Sequence, residues 1–129
     1  REILSAHRGW VRAQNRPDDA LRAYQSALRR DPDYVPALVA LGDVLVELGG
    51  GAVSSDATRL FARAYELDDT QVRAGMFAAM GAAQAGDQEK AEQAMRYIYA
   101  RLPEDDPRRE RFRAMIEAIG EQGAAAPPQ

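Results

Sequence analysis

Gly49, Gly50 and Gly51, followed by Ser54 and Ser55, are the residues whose types and spacing come nearest to a chemical motif. A phosphate-binding loop needs a lysine directly before its Ser or Thr and a strand leading into its glycines. Neither is present, because the only lysine is Lys90 and the residues before Gly49 carry a helical pattern. A helix ending on glycine, followed by a helix opening on a serine cap, accounts for the same residues. His7 is the single histidine, and cysteine is absent. Thiolate metal sites, disulfides and cysteine nucleophiles are therefore excluded, and His7 lacks the partners of a metal site or a triad. It reads as a histidine on a helix surface or interface. The doublets Asp18-Asp19, Asp68-Asp69 and Asp105-Asp106 lie where helices begin or end, so capping and the helix dipole explain them better than paired catalytic carboxylates. Arg108, Arg109, Arg111 and Arg113 alternate with Glu110 and read as a solvated, mutually paired helix face.

With no convergent acid, base, nucleophile or metal set, neither an enzyme nor a cofactor is expected. The net charge of −3 offers no electrostatic footprint for nucleic acid. With 46% hydrophobic and 29% charged residues, a chain of 129 residues can bury one continuous core. No apolar run approaches the roughly twenty residues that cross a bilayer. The chain opens on Arg1 inside a helical pattern and so reads as a piece of a longer protein.

The elements that must position any site are helices. Alanine dominates, whereas Val, Ile and Thr are few, a composition that favours helices over strands. Breakers fall at Asn15 to Pro17, Asp31 to Pro36, Gly49 to Ser55, Asp68 to Thr70, Gly86 to Asp87 and Pro103 to Pro107. Between them apolar residues recur three and four apart. Ile3, Leu4, His7, Trp10 and Val11 form the first stripe; Leu21, Tyr24 and Leu28 the second; Leu38, Leu41, Val44, Leu45 and Leu48 the third. Leu60, Phe61 and Tyr65 mark the fourth, Val72 to Ala85 the fifth, Ala91 to Leu102 the sixth and Phe112 to Ile119 the seventh. Seven helices in antiparallel pairs are predicted, with the tail Gly123 to Gln129 disordered.

The segments DDALRAYQSALRRDPDY, SDATRLFARAYELDDTQ and EKAEQAMRYIYARLPED align with one another. Ala20, Ala57 and Ala91 share one position, and Tyr24, Phe61 and Met95 follow four residues on. This self-similarity resembles the tetratricopeptide-repeat (TPR) family, whose unit is a pair of antiparallel helices. A small residue lets two backbones approach closely and an aromatic fills the next layer. Leu41-Gly42 matches the family's Leu-Gly pair, whereas His7-Arg8 and Ala78-Ala79 depart from it. The resemblance implies an all-α TPR superhelix of three antiparallel helix pairs over residues 1–34, 35–71 and 72–106, closed by a capping helix over 107–122.

The linker in LVELGGGAVSSDATRLFARAYELDD, the run AAQAGD and the segment LPEDDPRR are similar to the C-terminal periplasmic TPR domain of cytochrome c-type biogenesis proteins that chaperone apocytochrome c. This resemblance implies a bacterial inner-membrane protein whose membrane helices precede Arg1 and whose TPR domain faces the periplasm. There it would capture the C-terminal helix of apocytochrome c for the haem-ligation complex. The alternative is a general TPR scaffold for another assembly. The family's groove positions fall on Ser5, Gly9 and Arg12 in the first repeat, Val39, Asp43 and Val46 in the second, and Met76, Met80 and Ala83 in the third. Val and Met beside one carboxylate suit an amphipathic helix, since Met repacks readily around varied partners.

Overall fold

Local chemistry divides the chain into helices of 13 to 18 residues. The structure, a computed structural model, describes residues 17–125. Six helices follow in order: α1 Pro17–Arg30, α2 Val35–Leu48, α3 Ser55–Leu67, α4 Val72–Gln84, α5 Gln88–Arg101 and α6 Arg108–Ala125. The described residues contain no strand, so the fold is all-α, as expected. The first predicted stripe, Ile3 to Val11, lies outside the described residues.

Each boundary has a physical cause. Asp18 and Asp19 occupy the first turn of α1, with Arg29 and Arg30 in its last, the signs the helix dipole favours. At the end of α2 the Gly49, Gly50 and Gly51 amides donate to the Leu45, Glu47 and Val46 carbonyls at 2.9, 3.1 and 2.9 Å. Gly50 and Gly51 take φ of +67° and +98°, the left-handed region that side chains resist. The glycine run is thus a helix stop. Ser54 then caps α3, its Oγ accepting the Ala57 amide at 3.2 Å. Asp68 closes α3 into a turn by accepting the Thr70 amide at 3.0 Å and its hydroxyl at 2.6 Å. These donors hold the Asp68 carboxyl below the usual carboxylate range. Asp87 accepts the Lys90 amide at the start of α5, and Asp106 the Arg108 amide at the start of α6.

One expectation needs correcting. The capping helix was expected to end at residue 122, yet α6 continues through Gly123 to Ala125. Alanine is the strongest helix former, and one glycine costs only about 1 kcal/mol, so Gly123 does not stop the helix. The tail positions beyond Ala125 lie outside the described residues.

Packing follows chain order, each helix lying against the next. Leu38, Val53, Ala57, Phe61, Ala64 and Ala74 form one buried cluster between α2, α3 and α4. Ala79, Met95, Ile98, Leu102, Phe112 and Ile116 form a second between α4, α5 and α6. The three alanines aligned from sequence, Ala20, Ala57 and Ala91, are all buried, and the last two expose nothing. Gly42 shows why close approach matters here. A Cβ there would lie 2.7 to 2.9 Å from three atoms of the Phe61 ring, so only glycine admits that ring against α2. These two layers set α2 and α4 side by side.

Candidate functional site

Val39, Asp43 and Val46 recur at i, i+4 and i+7 along α2, and Met76, Met80 and Ala83 do the same along α4. That spacing puts each trio on one face of its helix. All six are half-buried. Val39, Val46 and Met80 pack against the first cluster with part of their surface open, and Met76 packs against the second. Ser5, Gly9 and Arg12 of the expected groove lie outside the described residues, as does His7.

An ion pair joins the two helices. Arg73 on α4 donates to both carboxylate oxygens of Asp43, at 2.5 and 3.4 Å. Its guanidinium also lies over the Phe77 ring, 4.8 Å from the centroid, and Phe77 stacks on Phe61 at 5.0 Å with an 18° interplanar angle. A charged pair on the open face is thereby tied through two aromatic rings to the first core cluster. More than half of the Arg73 side chain is exposed, so the pair is weak in energy and serves to fix geometry. Arg73 and Phe77 were not among the groove residues expected from sequence. Opposite charge 30 residues from Asp43 was the one available signal, and it acquires meaning only once α2 and α4 are adjacent.

At the far end, Arg108, Arg111 and Arg113 of α6 are exposed as expected and Arg113 pairs with Glu110 at 3.9 Å, whereas Arg109 departs from that face. Arg108 pairs with Asp106 at 2.8 Å, and the Asp106 carboxyl falls to about 2, chiefly through the Arg108 side-chain hydrogen bond. Arg109 turns inward. Its guanidinium donates to the Tyr99 and Leu102 carbonyls at 3.2 and 3.0 Å, satisfying the end of α5, and stacks 4.2 Å from the Tyr99 ring centroid. Arg113 donates to the Tyr99 hydroxyl at 3.0 Å and thereby lowers that phenol's pKa. The group holds α6 onto α5.

The strip on α2 and α4 is apolar with one ion pair near its middle. Among the described residues no three His, Cys, Asp or Glu side chains converge as metal ligands. Residues 11–50 match the family model described as tetratricopeptide repeat. Over that segment the chain is similar to tetratricopeptide-repeat proteins. Two curated relatives match most of the chain. The chain is 28% identical over 119 residues, 88% of its length, to the cytochrome c-type biogenesis protein CycH of Bradyrhizobium diazoefficiens. It is 32% identical over 109 residues, 84% of its length, to superkiller protein 3 of Schizosaccharomyces pombe. It spans 32% of the first relative and 8% of the second.

Proposed function

We propose that this TPR chain is a non-catalytic binding module whose α2–α4 strip holds one amphipathic helix, the C-terminal helix of apocytochrome c, during c-type cytochrome maturation. The observation that carries the reading is the half-buried row Val39, Val46, Met76 and Met80 flanking the Asp43–Arg73 pair. A helix with apolar residues one turn apart lays them against that row, while its polar edge meets the ion pair. Methionine adapts to ligand sequences that differ, as a chaperone of several cytochromes requires. The likeness to CycH, named for cytochrome c-type biogenesis, supports the choice of partner; with that partner we also propose a position on the periplasmic side of a membrane-anchored protein near the haem-ligation machinery. The second match, to superkiller protein 3 over a similar share of the chain, carries no cytochrome in its name, and the alternative is a general scaffold.

Calorimetry separates the two. A peptide covering the C-terminal helix of an apocytochrome c should bind near the micromolar range, roughly −8 kcal/mol, and become more helical on binding. A scrambled peptide should not bind. Met80→Glu sets an unpaired carboxylate in the apolar row and should weaken binding about tenfold or more, with a melting curve run alongside to show that the domain stays folded. Equal binding of both peptides, or of neither, leaves only the general scaffold.

A further inference from the structure

A second recess lies away from the α2–α4 strip and shares no residue with it. It is an open cleft of about 650 Å³ walled by α3 and α5, with α4 as its floor. The same place one repeat earlier, between α1 and α3 over α2, measures about 440 Å³ and is filled by leucines. Aligning the two explains the difference. Leu38, Leu41 and Leu60 of the smaller cleft become Gly75, Ala78 and Ala94 in the larger one. Arg63, on the rim of the smaller cleft, becomes Tyr97. Large apolar groups have been removed from the floor, and an aromatic stands where a cation stood.

The walls of the larger cleft suit a cation. Tyr65 and Tyr97 meet edge to face, 6.2 Å between centroids, and Tyr97 is half exposed. Asp68 and Asp69 line the cleft beside them. The chain already shows what these rings accept: the Arg101 guanidinium lies 3.6 Å from the Tyr97 centroid. Burial and then the neighbouring Tyr97 push the Tyr65 phenol above its ordinary value, with Arg101 opposing and Asp69 adding to the rise. The Tyr65 ring therefore stays neutral at ordinary pH, and the Tyr97 ring presents its electron-rich face to a cation.

We propose that this cleft is a second docking point, which receives an arginine side chain from a basic segment of a partner protein. The guanidinium stacks on Tyr97 in exchange for Arg101 and pairs with Asp69 at the rim. Arginine suits the site better than lysine because its plane stacks on a ring while its edge bonds a carboxylate. The inference does not depend on what the α2–α4 strip holds.

The test uses the whole 129-residue chain, labelled with nitrogen-15, and the peptide acetyl-Arg-Arg-Arg-amide. Its neutral counterpart, with citrulline for each arginine, is the control. Saturable amide shifts are expected at Asp69, Gly75, Ala94 and Tyr97, with citrulline weaker by about fivefold or more. Tyr97→Ala should weaken the arginine peptide about fivefold, and Arg101→Ala, by freeing the ring, should strengthen it by a similar factor. Tyr97 is exposed enough for its removal to leave the melting curve in place; if that curve falls, Asp69→Asn gives the same reading without touching the packing. Shifts spread equally to Glu47 and Glu104, equal binding of the citrulline peptide, or unchanged affinity in Tyr97→Ala would overturn the proposal. So would shifts at Gly75 on simple dilution of the free protein, which would make a second copy the occupant.

Discussion

Phe61 and Met95 occupy equivalent places in consecutive repeats, and the residues facing them differ in step. The Phe61 ring requires Gly42, whereas Met95 shares its cluster with Ala79, the residue aligned with Gly42. A rigid ring demands the missing Cβ, and a flexible thioether does not. This is why the Leu-Gly signature is legible in one repeat and absent from the next. Gly42→Ala should therefore cost about 1–3 kcal/mol by overpacking, read from denaturant melts. The double variant Gly42→Ala/Phe61→Met should lose about 1 kcal/mol less than the sum of its singles. Additive losses would show that the two residues do not share one constraint. Asp106 supplies a pH-dependent counterpart. Its carboxyl falls from 3.8 to about 2 on folding, so the ionised form favours the folded state. That contribution is complete above about pH 4 and fades between about 4 and 2. The gap in melting temperature between the parent chain and Asp106→Asn should be present at pH 6 and close over that acid interval.

Helix starts and stops were legible because they depend on neighbours in sequence: Gly49 to Gly51 end α2, Ser54 caps α3, and Asp87 caps α5. The end of α6 was not, since the apolar pattern runs out at Ile119 while alanine propensity carries the helix to Ala125. The inward turn of Arg109 was hidden for another reason. Its acceptors are main-chain carbonyls of Tyr99 and Leu102, which no residue type advertises. Close crossings, by contrast, were visible as aligned alanines. Ala57 exposes nothing, so Ala57→Leu should cost about 1–3 kcal/mol, while Ala118→Leu on the exposed face of α6 should cost less than about 0.5 kcal/mol. Equal melting temperatures for the two variants would show that the repeat register is wrong.

At the scale of the whole molecule, two surfaces arise from one repeated packing scheme. The α2–α4 strip exists because both helices pack on α3, Gly42 against the Phe61 ring and Gly81 against Thr58, and Asp43 and Arg73 meet across it. The family resemblance, carried onto this repeat register, gave Val39, Asp43, Val46, Met76, Met80 and Ala83 as the groove positions. It did not reveal Arg73 or Phe77, whose roles depend on the juxtaposition of helices 30 residues apart. The methionines offer the most direct check on whether a helix lies on this strip. The chain has four, Met76, Met80, Met95 and Met115. Met76 and Met80 stand on the strip, while Met95 is buried and Met115, on α6, packs against the second cluster. Carbon-13 labelling of the methionine methyls gives one resonance for each. Adding the C-terminal helix of an apocytochrome c should shift Met76 and Met80 and leave Met95 and Met115 in place, with the scrambled peptide moving none. Binding that leaves Met76 and Met80 unmoved, or that shifts all four alike, would contradict the account.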